Sequence, residues 1–392
     1  MGQSPPSSEY SSVPEDGLPF LQGTADFGNV NPLPQVYCSS SAKTAKTGDI
    51  LLSVRAPVGE LNISDREYGI GRGVCAIRPK AGWSQRFAWW ALHEARTQLN
   101  LASTGSTYDA VSVEDVRNLF VEAPPIELQR TIADYLDRET ERIDALIAAK
   151  ERLLALLAEK RRALITRAVT KGLDPHAPMK DSGLPWLGEI PAHWETEHAR
   201  WLFRERDIRS EAGDEELLTV SHLTGVTPRS EKEVTMFEAE TTEGYKICEV
   251  GDLVINTLWA WMGAMGIAPV SGIVSPAYNV YRPSPRLLPM YVDALVRLPV
   301  FAQEVTRYSK GVWSSRLRLY PESFFEVYLP VPPLDEQRAI VEHIACETAK
   351  LDALRMATER SIALLRERRA ALISAAVTGQ IDVEAATGRE IQ

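Results

Sequence analysis

The amino-acid sequence predicts an α+β protein built as an internal repeat, with two mixed α/β globular regions and two long helices that pair antiparallel as a coiled coil. Three observations predict it. The first is a duplication at an offset of 208 residues: Pro124-Pro125-Ile126-Glu127-Leu128-Gln129-Arg130 returns as Pro332-Pro333-Leu334-Asp335-Glu336-Gln337-Arg338, and Ala168-Val169-Thr170 as Ala376-Val377-Thr378. The second is a run of apolar residues spaced three and four apart after each Pro-Pro pair. The third is the strand-like, Gly/Pro-punctuated character of 1–123 and about 190–331. A period this long is the size of a domain, where a solenoid unit recurs every few tens of residues.

In chain order, the first globular region is expected over 1–123 and a helix over 124–174. A linker and second globular region follow over 175–331, then a second helix over 332–380 and a flexible tail over 381–392. The globular regions match weakly but keep their landmarks in order. Gly48-Asp49-Ile50-Leu51 answers to Gly251-Asp252-Leu253-Val254, each a turn feeding an apolar strand, and Ile77-Arg78-Pro79 answers to Tyr281-Arg282-Pro283. A short amphipathic helix over 87–99 answers to 290–305, and a polar Gly-bearing loop follows each. Trp259-Ala260-Trp261 reads as a strand with both rings on one face, where core packing is favoured over a wedge into DNA.

In the first helix Ile132, Leu136, Ile143, Leu146, Leu153, Leu157 and Leu164 form a seam, and Ile340, Ile344, Leu351, Leu354, Leu365 and Leu372 form its partner. Polar Glu139/Glu347, Lys150/Thr358 and Lys160/Arg368 interrupt it. Proline is tolerated in a first helical turn, so the Pro-Pro pairs mark the starts; Lys171-Gly172 and Gly379 mark the ends. The segment from Asp181 to Trp194 has no counterpart before the first region, which reads as shortened by roughly two dozen residues at its N-terminus.

The chain has 44% hydrophobic and 24% charged residues, enough to build packed cores. No apolar run approaches a membrane span, and no signal peptide is visible. Cys38, Cys75, Cys248 and Cys346 form no CxxC pair, which speaks against a zinc site and for a reducing cytoplasm. The net charge of −10 disfavours non-specific coating of nucleic acid but leaves room for a local basic surface. Basic clusters at 150–152, 160–162 and 366–369 lie in the helices, where a solvated face is the commoner reading than DNA contact.

These landmarks resemble the specificity subunit of type I DNA restriction–modification systems over almost the whole chain. The likeness is carried by Pro332 to Arg338 with the helix end Leu-Arg-Glu-Arg-Arg-Ala-Ala-Leu-Ile at 365–373, by the segment from Asp181 to Trp194, by Gly2-Gln3-Ser4-Pro5-Pro6-Ser7, and by Ser53-Val54-Arg55-Ala56-Pro57-Val58-Gly59. The resemblance implies two target-recognition domains, 1–123 and 175–331, each reading half of an asymmetric bipartite site on double-stranded DNA. It implies spacer helices that dock two modification (methyltransferase) subunits, with restriction/translocase subunits beyond them, in cytoplasmic phage defence. S-adenosylmethionine, ATP and Mg are then expected on those partners and no cofactor on this chain.

The residues agree on chemistry. Asn31-Pro32-Leu33-Pro34 has the wrong third and fourth residues for an adenine-methyltransferase motif and reads as a turn. No GxxxxGK[ST] loop is present, and the six histidines have no ligand-like spacing. The chain reads as a non-enzyme with no metal site. Candidate DNA contacts are Arg55, the loop Gly105, Ser106, Thr107 and Tyr108, and the loop Lys310, Gly311, Trp313, Ser314 and Arg316; a surface salt bridge or an ordinary hairpin loop is the alternative for each. Helix pairing is assigned to Leu136, Ile143, Leu146, Leu157 and Leu164 against Ile344, Leu351, Leu354, Leu365 and Leu372. The rival functions are a coiled-coil interaction scaffold and a truncated, non-functional specificity subunit.

Overall fold

A computed structural model describes residues 1–102, 110–231, 241–311, 317–383 and 385. The chain divides into two compact units, Met1–Arg152 with Glu359–Gln392, and Leu153–Thr358. Two long helices, Ile126–Lys171 and Leu334–Val377, each contribute to both units. Among the described residues no helix is long and apolar enough to cross a membrane.

In the first unit the central strand Ile50–Ser53 pairs antiparallel with Leu61–Ile63 on one side and Val74–Ile77 on the other. In the second unit Leu253–Asn256 pairs the same way with Met265–Ile267 and Tyr278–Pro283. The turn before each central strand needs a left-handed residue, and Gly48 (φ 88°) and Gly251 (φ 90°) supply it without a Cβ penalty. The following aspartate closes the turn: Lys46 N–H donates to Asp49 at 2.8 Å, and Glu249 N–H to Asp252 at 2.9 Å. Both carboxylates are buried and both meet an arginine, by different routes. Asp49 takes Arg78 (2.7 and 2.5 Å); Asp252 takes Arg206 at 2.8 Å, whose guanidinium also holds Glu249 at 2.9 Å.

Behind each central strand lies a pair of short helices, Gln85–Glu94 with Arg96–Ala102 and Pro289–Val296 with Pro299–Tyr308, where the sequence suggested one. Phe87, Trp90 and Ala91 pack on Ile132, Ala133 and Leu136 of the first long helix and on Ile373 and Ala376 of the second. In the second unit Tyr291, Leu295 and Phe301 join Ala168, Val169 and Ile340 in one core, with Trp194, Leu202 and Phe203 from the segment ahead of the central sheet.

The repeated Pro-Pro-x-x-x-Gln has a structural reason. Gln129 is 1% exposed and Gln337 fully buried, and their amides make the same three hydrogen bonds. Gln129 accepts from Ser84 N–H (2.8 Å) and donates to the carbonyls of Gly82 (3.0 Å) and Pro124 (2.8 Å). Gln337 accepts from Leu288 N–H (2.7 Å) and donates to the carbonyls of Arg286 (2.8 Å) and Pro332 (2.8 Å). A buried amide with both N–H groups donating and its oxygen accepting fixes each short-helix pair to the start of its long helix.

Within each unit the long helices pair antiparallel. In the first, Asp144 meets Arg369 at 2.9 Å and Glu151 meets Arg366 at 2.9 Å, rising positions of one helix against falling positions of the other. In the second, Arg161 meets Asp352 at 2.6 Å. Leu136, Ile143, Leu157 and Leu351 are buried; Leu164, Ile344, Leu365 and Leu372 are half-buried. Leu146 and Leu354, assigned to the seam from sequence, are 51% and 47% exposed and do not belong to it; Leu153 lies off it too. Between 140 and 164 the buried and half-buried positions run 140, 143, 147, 150, 154, 157, 161 and 164, a strict alternation of three and four. That alternation admits Thr140, Arg161, Thr348 and Arg369 in place of nearby leucines, and it leaves Lys160 and Arg368 outside. The buried threonines satisfy their hydroxyls on their own helix: Thr140 donates to the Leu136 carbonyl at 2.6 Å and Thr358 to that of Leu354 at 2.8 Å.

Candidate nucleic-acid interface

In each unit the loop that leaves the central strand is built on one plan. In the first, buried Ser53 organises it: its hydroxyl donates to the Pro57 carbonyl at 2.6 Å and accepts from Glu60 N–H at 2.8 Å. In the second, Asn256 takes that place, its side-chain oxygen accepting from Leu258 N–H at 3.2 Å. The next backbone carbonyl receives a returning strand-like residue in both, Val111 N–H on Val54 (3.0 Å) and Leu319 N–H on Thr257 (3.1 Å). Val111 and Leu319 thus return to the end of each central strand, a few residues after the polar loops singled out from sequence.

Arg55 is exposed on the first such loop and bridges Ala110 through its backbone. No ion pair or hydrogen bond of its guanidinium is made among the described residues. Gly105, Ser106, Thr107 and Tyr108 lie outside the described residues, as do Trp313, Ser314 and Arg316. Lys310 is exposed and pairs backbone to backbone with Arg318, 2.9 Å in both directions, which closes the base of the second polar loop; Gly311 is exposed beside it.

Sequence reasoning misplaced the tryptophans of the second loop. Trp259-Ala260-Trp261 is no strand: Trp259 caps a 3-10 turn over Ala260–Met262, closed by left-handed Gly263. Only Ala260 is buried; Trp259 is 49% exposed, and Trp261 is held by its ring N–H on the Leu258 carbonyl at 3.0 Å. Gly263, two residues on, was the available signal that this run turns instead of extending. Trp259 and Arg318 therefore join Lys310 as exposed groups of the second unit, and Arg55 is their counterpart in the first.

The electrostatics beneath these loops fix geometry. Burial pushes the Asp252 carboxyl up from its ordinary value, opposed by the Glu249 N–H and the Arg206 guanidinium. The hydrogen bond from Arg206 holds Glu249 low. Asp49 raises the Arg78 guanidinium further. Arg78 and Arg206 are committed to carboxylates, whereas Arg55 makes no ion pair among the described residues. Cys38, Cys75 and Cys248 are buried free thiols and Cys346 an exposed one. Among the described residues no group of three or more His, Cys, Asp or Glu side chains is placed to hold a metal ion.

Residues 2–155 match the family model described as the type I restriction modification DNA specificity domain. Over 151 residues the chain is 39% identical to the type I restriction enzyme MjaX specificity subunit named in Methanocaldococcus jannaschii, covering 38% of this chain and 34% of that one. The chain spans about a third of the length of that curated relative. For the rest of the chain the fold carries the likeness. A structure reported for the assembly and conformational transition of a type I restriction–modification system aligns with a TM-score of 0.70, 19% identity, and coverage of 92% of this chain and 91% of that one. The HsdS subunit of Thermoanaerobacter tengcongensis aligns at a TM-score of 0.56, with 18% identity and coverage of 93% and 91%. The resemblance expected from the motifs is met by the family-model match over residues 2–155, and the α+β architecture with two long helices aligns with the HsdS fold over almost the whole chain.

Proposed function

We propose that this chain is the DNA-recognition subunit of a type I restriction–modification enzyme and carries no catalysis of its own. The observation that carries this reading is a contrast between what repeats and what does not. The Gln129 and Gln337 clamps, the central sheets and the long helices recur, while the loops at the strand ends present Arg55 in one unit and Trp259, Lys310 and Arg318 in the other. Two frames with unlike faces suit two different half-sites on one asymmetric duplex. An arginine fork can read guanine in the major groove, and an exposed indole can pack on a base or sugar. Lysine and arginine on phosphates would set position without specifying sequence.

Two modification subunits would dock on the repeated helices and supply S-adenosylmethionine chemistry at adenine. Restriction/translocase subunits would supply ATP- and Mg-dependent cleavage, and the assembly would act in the cytoplasm. Incubating the assembled complex with a randomised duplex library, followed by sequencing of bound DNA, tests the reading. Enrichment of one bipartite motif is the expected result. A bound pool with no motif overturns it in favour of an interaction scaffold.

A further inference from the structure

In the first unit the corner between the short helices and the two long helices is filled by the chain itself. Counting from Ser84 and Leu288, whose N–H groups meet the two glutamine clamps, Trp90 answers to Ala294, His93 to Arg297 and Glu94 to Leu298. On the long helices Asp137 answers to Ala345 and Ser374 to Thr166 by the 208-residue offset. The Trp90 indole is 5% exposed and shares a core with Ala133, Leu136 and Ile373. Its ring N–H donates to Asp137 at 2.8 Å, and beside it Glu94 accepts from the Ser374 hydroxyl at 2.9 Å. One buried ring and two hydrogen-bonded carboxylates close that corner.

The second unit has the same corner without the filling. Alanine stands in place of Trp90 and again in place of Asp137, and a cavity of about 370 Å³ remains. Val341, Ile344 and Ile165, which answer to the neighbours of Trp90, line it with Ala294 and Leu298. The charges have changed sign as well: Asp137 and Glu94 have become Ala345 and Leu298, while Ala370 has become Arg162. Of the arginines that line the cavity, Arg161 is held by Asp352 at 2.6 Å. Arg297 lies 3.6 Å from Asp293 and donates to the Leu223 carbonyl at 2.9 Å. Arg162 is exposed and makes no ion pair or hydrogen bond among the described residues. The corner has lost a ring and two carboxylates and gained an uncommitted guanidinium.

We infer that the second unit binds a small aromatic carboxylate in this corner. The ring lies on the apolar floor, in the place that the Trp90 ring takes in the first unit. The carboxylate meets Arg162, whose planar fork suits two parallel charge-assisted hydrogen bonds. An anion is selected because Arg161, Arg162 and Arg297 share the lining with a single acidic residue, Asp293. The cavity falls within the roughly 300–1,000 Å³ of small-molecule sites and has their make-up, an apolar wall with a few polar groups. Binding here is independent of DNA reading.

Isothermal titration of the full chain with indole-3-acetate tests this, with indole and the capped dipeptide acetyl-Asp-Trp-amide as comparison probes. Saturable binding of one indole-3-acetate per chain is expected. Indole, which lacks the carboxylate, should bind roughly tenfold more weakly, the size of one charge-assisted hydrogen bond. Arg162→Gln, at an exposed position, should weaken indole-3-acetate by a similar factor and leave indole unchanged. Ala294→Trp with Ala345→Asp restores the first unit's pair inside the cavity and should abolish binding of both, with a thermal midpoint no lower than the parent's. Should that variant fail to fold, Arg162→Gln decides alone. Absence of saturable binding overturns the proposal, as does equal affinity for indole, or an indole-3-acetate affinity that neither variant changes. Tighter binding of the dipeptide than of the free acid overturns it too, because the corner then receives a protein side chain.

Discussion

The first unit joins its globular part to its long helix as the second does, through a buried glutamine with three filled hydrogen bonds, but it closes its sheet differently. Where the second unit lays two strands and three apolar side chains across the sheet edge, the first leaves Ile77, Leu119 and Val121 half-buried. A buried polar clamp tolerates little change, because each lost partner leaves an unsatisfied group. A sheet edge can be covered or left open with the rest of the unit intact. The repeat is therefore strict at the junctions and loose at the edges and loops.

The largest expected effect tests whether the helix pairing is one device in both units. Leu157→Asp places a charge in a closed seam and should cost about 3–5 kcal/mol, read as a lowered midpoint of chemical denaturation. Leu146→Asp, at a half-exposed leucine one step off the seam, should stay within about 0.5 kcal/mol. Equal losses would break the seam as drawn. Next come Gln129→Leu and Gln337→Leu, which keep volume and strand the backbone groups of Ser84 and Leu288. Each should cost about 2–4 kcal/mol by the same denaturation assay. A loss at one position only would show that the junctions are not equivalent.

Acid should separate the units. Burial, reinforced by Arg369 and Arg96, pushes the His93 imidazole down to about 4. Its contribution is complete above the unfolded value near 6.5 and is lost as pH falls through 6.5 toward 4, at most about 3 kcal/mol. Asp252 is raised, so its effect has the opposite sign: burial favours its neutral form, and acid relieves the second unit there. Amide exchange between pH 7 and 4.5 should loosen the first unit ahead of the second, and His93→Gln should flatten that trend. The smallest effects concern the loops. On a library varied in both half-sites, Arg55→Ala should remove about 1–3 kcal/mol of discrimination in one half, and Trp259→Ala should act only on the other. A uniform loss with a salt slope lowered by about one would move Arg55 from base to phosphate.

Much of this molecule is written locally. The Pro-Pro pairs, the 208-residue offset, the Gly-Asp turns and the heptad leucines gave the two-part plan, the helix limits and the central strands, because proline, glycine and apolar period act within a few residues of themselves. The resemblance to a known family was legible for the same reason, since it rests on short motifs in order. Three things needed the third dimension. The seam passes through Thr140 and Arg161 and avoids Leu146, because helix phase is settled by the partner surface across many turns. Trp259 is exposed on a turn because Gly263 takes the left-handed conformation two residues after Trp261. That Val74–Ile77 ends its sheet whereas Tyr278–Pro283 carries the further strand Phe203–Glu205 is a relation between residues far apart in sequence, which only the fold reveals.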